Sequence, residues 1–425
     1  MTTITQNNIL EQFLSAHAPK GGFAELRADS LEFLQKHGLP KAKEEEYKYT
    51  PISKRIEQRI SSLKLAIPAG VSAEQVKKHI FEGFEGDVLV FDNGHFNPSL
   101  SAVSSQGYHI HNLSQIAFDK LSHIAFPEKD PFVALNNISF EDGLYLAVDK
   151  NQKVEKPILF LHINNGESGT LIAPRIFIVC NPSAEVTFLE TTVSVNESHY
   201  LTAPVTEIHV AQNAKANFYR LQAGDKQALE VNNFVTDIHR DATFTSVVIS
   251  LDADMIRNNL TLNLKGSGCE GNMYGLYLIN GKSHIDNHTN VDHTIPHAQS
   301  NELYKGILAD ESRGVFNGKI FVRQDAQKTN AFQQNNNILL SDDAIVNTKP
   351  QLEIWADDVK CSHGCTTGQL DEEALFYLQA RGIKKSYAKG LLLFAFANEV
   401  LEHIQVDSFR ELVANMVEER LGSKA

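Results

Sequence analysis

The chain has 425 residues, 42% of them hydrophobic and 21% charged, with a formal net charge of −13. That length allows two or three domains, or one large core with appendages, and the composition is that of an ordinary globular protein. The acidic excess argues against non-specific nucleic-acid binding, which needs a Lys/Arg surplus, and the longest apolar run, Gly390 to Ala397, is too short for a membrane span. Up to about Ile80 the pattern is mainly helical. Ile9, Leu10, Phe13 and Leu14 share one helical face, as do Phe23, Leu26, Leu31 and Leu34, and Gly38 followed by Pro40 predicts the end of that second helix. Ser72 and Gln75 form a capping box for a short helix running through Ile80.

From about Asp87 to Pro350 the character changes to apolar runs of four to seven residues, broken by Gly, Asn, Asp and Pro. Val88 to Phe91 leads into the turn signal Asp92-Asn93-Gly94. Pro157 to Ile163, Ile176 to Val179, Thr243 to Leu251 and the alternating Asn259 to Leu264 all predict strands. Gln333 to Asn337 resembles the stacked amide ladders of solenoids. Two short helices are expected near Leu113 to Leu121 and Pro131 to Ile138. So many strands without intervening helices exclude a parallel α/β sheet. A sandwich, a propeller and a β-helix remain open, since no tight repeat fixes a rung length.

The tail reads as three helices. Asp371 N-caps the first, which ends at Arg381-Gly382. The second begins near Ser386. A capping box at Ser408 and Glu411 opens the third, which ends at Gly422. The helices from Asp371 to Ile404 hold more apolar residues than short helices resting on one end of the strand core would be expected to bury, which predicts a partner surface. Deleting everything after Gly368 is expected to leave the strand core folded.

The richest chemistry lies in Leu352 to Gly368, LEIWADDVKCSHGCTTG, which gathers two of the four cysteines, a histidine and the single tryptophan. If the strand alternation of Leu352, Ile354 and Ala356 runs on through Cys361, His363 and Cys365, those three side chains share a face. Two thiols and an imidazole suit zinc, copper(I) or iron–sulfur species, although a closed structural site wants a fourth ligand. Four cysteines, with Cys180 and Cys269 isolated, make no disulfide framework. Together with the polar start from Met1 to Gln12, they predict reduced thiols in the cytoplasm. His284, Asp286, His288 and Asp292 would also share a strand face, with His293 and His297 close by. There a polar ladder bonded to neighbouring rungs is favoured over a metal site. Gly275 to Ser283 only imitates a phosphate loop: five residues separate its glycines instead of four, and Ser283 to Asp286 reads as strand where a helix is needed. No nucleophile elbow or dinucleotide fingerprint is present, so no catalytic residue is assigned.

The run ending in Cys361-Ser362-His363-Gly364 resembles the C-terminal signature of the SufB/SufD family of iron–sulfur cluster assembly proteins, in the form of its SufD branch. Cys365 departs from the alanine usual there. Gly38 to Pro51 (GLPKAKEEEYKYTP) and Asp286 to Gly306 are similar to the family's N-terminal and core segments. The resemblance implies a mainly β fold, with a right-handed parallel β-helix core over residues 81–368. An N-terminal helical region (1–80) and a C-terminal one (369–425) would flank it and could cap its ends. It further implies a non-enzymatic scaffold that pairs with a SufB-type scaffold and a SufC-type ABC ATPase, with ATP entering only through SufC. Nascent cluster or iron would be held transiently and shared with SufB, through Cys361 and His363 and more weakly through Cys365. Leu375, Phe376, Tyr377, Arg381, Tyr387, Leu391 and Phe394 would mark the SufC-docking helices. A homodimer stays open as the state of the isolated chain. A structural partner with no ligand of its own is the alternative function.

Overall fold

The computed structural model describes residues 6–16, 23–41, 43–116, 121, 123–223 and 225–422. Ala42, inside the GLPKAKEEEYKYTP segment, and the middle of the helix expected near Leu113 lie outside the described residues. Of that helix a short 3-10 turn, Leu113–Gln115, is seen. The helices Gln6–Ala16, Ala24–His37, Ala73–His79 and Pro131–Ser139 occur where the pattern predicts them. Gly38 ends the second helix at φ 72°, and the Ser72–Gln75 capping box is formed.

The body is a parallel β-solenoid. Strands alternate between two sheets, so that from Leu144–Val148 and Ile158–Asn164 onward each of eight turns adds one strand to each sheet. Parallel in-register stacking means that no turn buries its apolar face alone; each needs its neighbours. Phe91, Phe160, Phe188, Phe218, Phe234 and Phe244 form a ladder down the interior, with successive ring centroids 4.8–6.3 Å apart. Further along the interior turns polar. Asn335 donates to the Tyr277 hydroxyl (3.2 Å), and Gln333 donates to Glu302 (2.6 Å). Of the amides from Gln333 to Asn337, Gln333, Asn335 and Asn337 are therefore interior groups, while Gln334 is exposed and Asn336 half-buried.

The start of the solenoid is closed. The hairpin Asp87–Asp92/His95–Ala102 turns at Asn93 (φ 48°) and Gly94 (φ 82°), and its second strand runs antiparallel along the edge. Tyr108–Asn112 blocks the other sheet in the same way. Buried Asp87 ties this closure down by accepting from Ser104, Ser105 and Tyr108. Burial alone would raise its pKa, but these hydrogen bonds outweigh burial and hold the carboxyl at about 2.

The terminal helices do not cap the ends, contrary to expectation; they lie on the outer faces. Leu10, Phe13, Leu34, Ile52 and Ile56 pack with the helix Pro131–Ser139 against Leu171, Leu201, Leu229 and Met255 of one sheet. Leu393, Ala397, Val400, Phe409 and Val413, from the helices Lys385–Leu401 and Asp407–Leu421, cover Leu189, Tyr219, Val247, Ile249 and Leu276 of the other. The physical reason is that an amphipathic helix matches the apolar rows on a sheet's outer face. The last helix starts at Asp407 without the predicted capping box: Val406 is its N-cap, and Asp407 pairs with Arg410 at 2.6 Å.

Candidate functional site at the open end of the solenoid

The last turn comprises Ile345–Ile354 in one sheet and Lys360–Gly368 in the other. The strand is thus not continuous from Leu352 to Cys365. It breaks at the solenoid corner, where Ala356 turns inward and Lys328 pairs with Asp358. The shared face survives the break. Cys361, His363 and Cys365 lie in register with Ala331, Gln333 and Asn335, all of which are buried and inward-facing. The three side chains therefore point along the solenoid interior, and among the described residues no further turn covers them. His363 and Cys365 are exposed, while Cys361 is half-buried against the core.

Burial pushes the Cys361 thiol above its ordinary pKa, opposed only in part by a backbone hydrogen bond involving Ala331. Thiolate character, which metal binding requires, must come from an incoming cation. Cys180 and Cys269 are buried in the core and pushed up to about 12 and about 11, so they are inert structural thiols.

The end is also apolar. Phe332 (46% exposed), Ile345, Ile354 and Trp355 (49%) stand at or beside its rim. Trp355 stacks on Phe321 with the Arg323 guanidinium 5.2 Å from its ring. Sequence reasoning did not single out Phe332 or the rim role of Trp355. The signal for Phe332 was present as an inversion: in Asn330–Leu339 the polar Gln333 and Asn335 face in and Phe332 faces out.

The two other family-like segments meet each other, and their contact reaches the last turn, where Glu45 pairs with Lys349. Thr50 bonds His284 (3.1 Å) and Asp286, and Glu46 approaches His288 (3.6 Å) and pairs with Lys319. Buried Arg257 reaches Asp286 (3.1 Å) and lies 3.8 Å over the Tyr47 ring. His288 uses one ring nitrogen on Asp286 and the other on Asn317 of the next rung, as a polar ladder requires. Asp292 pairs with Arg323. His293 instead faces inward and meets Ser300 at 2.9 Å; His297 occupies a turn. Burial lowers the His284 pKa to about 4. Gly275 to Ser283 is the end of the strand Glu270–Ile279 and a turn into His284–His293; no helix N-terminus exists there to hold phosphate.

On the C-terminal helices, Phe376 (71% exposed) and Tyr377 (55%) face solvent, with Arg381 stacked 3.5 Å from the Tyr377 ring. Tyr387, Leu391 and Phe394 are half-buried, and Leu375 is buried in the helix packing.

Residues 162–396 match the family described as "SUF system FeS cluster assembly, SufBD core domain", and residues 10–160 match the "SufBD protein N-terminal region". The chain belongs to the SufBD family. It is 32% identical over 395 residues to the iron–sulfur cluster assembly protein SufD of Escherichia coli (strain K12), covering 92% of this chain and 91% of that protein. A SufBD family protein of Synechocystis sp. is 29% identical, with coverage of 90% and 88%. "Protein ABCI7, chloroplastic" of Arabidopsis thaliana is 31% identical, covering 69% of this chain and 63% of that protein. SufBD membership gives the chain a role in iron–sulfur cluster assembly, and the β-helix expected from the resemblance is the parallel solenoid observed. Among the described residues no helix is long and apolar enough to cross a membrane.

Proposed function

We propose that this chain is the SufD-type scaffold subunit of a cluster assembly complex. It pairs end to end with a SufB-type scaffold, carries a SufC-type ABC ATPase on its C-terminal helices, and works in the cytoplasm. Nascent cluster, or its iron, is the cargo at the junction. The observation that carries this reading is the uncovered last turn, with Cys361, His363 and Cys365 on its inward face, free strand edges, and Phe332, Ile354 and Trp355 around the rim. Two or three soft donors on one chain make an incomplete site. A second chain completes it, and incompleteness suits transfer, because a closed tetrahedral site would retain its cargo. The chain itself is no enzyme, and ATP enters only through SufC; the strand–turn–strand geometry of Gly275 to Ser283 supports this. Phe376, Tyr377 and Arg381 are the exposed part of the ATPase surface.

Co-purification of the tagged chain from its host tests the reading: an ATPase and a homologous scaffold are expected in stoichiometric amounts. Recovery of neither overturns it. A second reading, a structural partner with no ligand of its own, is favoured by the raised pKa of Cys361. The iron stoichiometry of the complex with and without His363→Ala separates the two readings.

A further inference from the structure

A second set of metal-type donors lies far along the solenoid from the open end, on the outer face of the other sheet. His209, in Val205–Val210, is the register partner of Asp237, in Ala228–Ile238. His239 follows Asp237 by two residues, so the strand alternation returns it to the same face. One donor atom from each of the three lies within 4.8 Å of the others, and His209 Nδ1 is 4.0 Å from Asp237 Oδ2. Donors bound to a common ion at about 2.1 Å sit roughly 3–3.5 Å apart, so these side chains need to close in by about 1 Å. Adjacent in-register strands hold the first two, and the turn after the strand holds the third.

The surroundings fit an ion-binding role. Asn263, one rung on, donates to Asp237 Oδ1 at 2.8 Å and fixes the carboxylate plane, as outer partners of metal ligands do. The Phe177 ring lies 5.3 Å from the His209 imidazole and forms an apolar wall. A cation already occupies the other oxygen: Lys265 Nζ is 2.5 Å from Asp237 Oδ2, on a side chain 42% exposed and able to swing out. The strand pair thus gathers its donors around a point where positive charge is held. Arg240, the nearest other cation in sequence, is directed to Asp241.

We propose that His209, Asp237 and His239 bind one first-row divalent transition-metal ion, of the zinc or ferrous class, on the outer face of the solenoid. Two imidazoles and a carboxylate select such ions over calcium or magnesium, which prefer oxygen donors, and they leave coordination positions open to water or an exchanging ligand. The ion displaces the Lys265 ammonium and ties two successive turns together. This site uses none of the residues at the open end and does not depend on the reading of that end.

The test uses the untagged full chain carrying Cys361→Ser, His363→Ala and Cys365→Ala, which removes the soft donors of the last turn. Zinc(II) is titrated calorimetrically and cobalt(II) is followed by its visible bands, with thermal melting in parallel. One equivalent bound with a raised melting temperature is expected. His239→Ala, at a half-exposed turn position, should weaken binding by more than the ~10-fold typical of losing even an outer partner. Lys265→Ala should tighten it by removing the competing cation. Binding of less than one equivalent in the triple variant overturns the proposal. So does an affinity unchanged in His239→Ala whose circular dichroism is native.

Discussion

His363 is exposed on the last strand, so its replacement removes little buried contact. His363→Ala should shift stability by no more than the ~0.5 kcal/mol of ordinary surface substitutions. It should nevertheless impair cluster assembly in cells, read from cluster-dependent enzyme activity. Normal assembly sinks the ligand role, and a variant that unfolds returns His363 to a structural part. Cys361→Ser should be milder if the partner scaffold supplies the essential thiolate, and Cys365→Ala mildest. That these three share a face was legible because strand side chains repeat every second residue. A buried carboxyl two turns earlier in the same stack was not legible. Glu302 lies inside the solenoid, where burial pushes its pKa up to about 7 against hydrogen bonds with Thr289 and Gln333. Its ordinary value of 4.5 applies in the unfolded chain. Its contribution to stability is therefore complete below that value, falls as pH rises toward 7, and falls no further above it. Glu302→Gln keeps the shape and cannot ionise. Relative to wild type it should gain up to about 3 kcal/mol across that window, with a flat difference on either side. Denaturant unfolding from pH 4 to 8 reads this directly; a difference that does not change with pH contradicts it. Alternation alone does not say which face of Gln299–Leu308 is inside, and an interior glutamate is the rarer choice.

At the scale of elements, the strands and helices were legible and their pairing was not. Leu229 pairs with Met255, Met255 with His284 and Arg313 with Ile345, so the rung lengthens from 26 to 29 to 32 residues. A repeat that drifts leaves no fixed period to find, although every turn is in register with the next. The placement of the tail helices was likewise hidden, because an apolar helical stripe fits a solenoid end or a sheet face equally well. Their observed place changes what a deletion does. Removing everything after Gly368 would bare Tyr219, Val247, Ile249 and Leu276, an outer face that Leu393, Val400 and Phe409 now cover. The truncated core should therefore aggregate rather than fold cleanly. The informative change is smaller. Phe376→Ala combined with Tyr377→Ala touches only exposed rings, so the melting temperature should hold while association with the ATPase falls by tenfold or more. Undiminished association places the docking surface elsewhere.

Over the whole molecule, the two solenoid ends differ in kind. The first is closed by antiparallel strands and the Asp87 hydrogen bonds, while the last presents two free edges, Ile345–Ile354 and Lys360–Gly368. Such edges invite pairing, and natural proteins usually blunt them with charge, proline or a covering segment. Here one edge strand carries Lys349 and Pro350, but Lys349 is drawn to Glu45, and the rim keeps Phe332, Ile354 and Trp355 exposed. The isolated chain should therefore pair with itself through this end. Sedimentation velocity should show a dimer whose fraction rises with concentration. Ile354→Lys combined with Trp355→Ser should shift it toward monomer, because a charge placed in a desolvated junction is costly and the aromatic anchor is lost. The melting temperature should stay near wild type at low concentration, since both residues are exposed in the single chain. A wild-type chain that stays monomeric at every concentration, or a dimer untouched by the double change, removes the open end as the pairing surface.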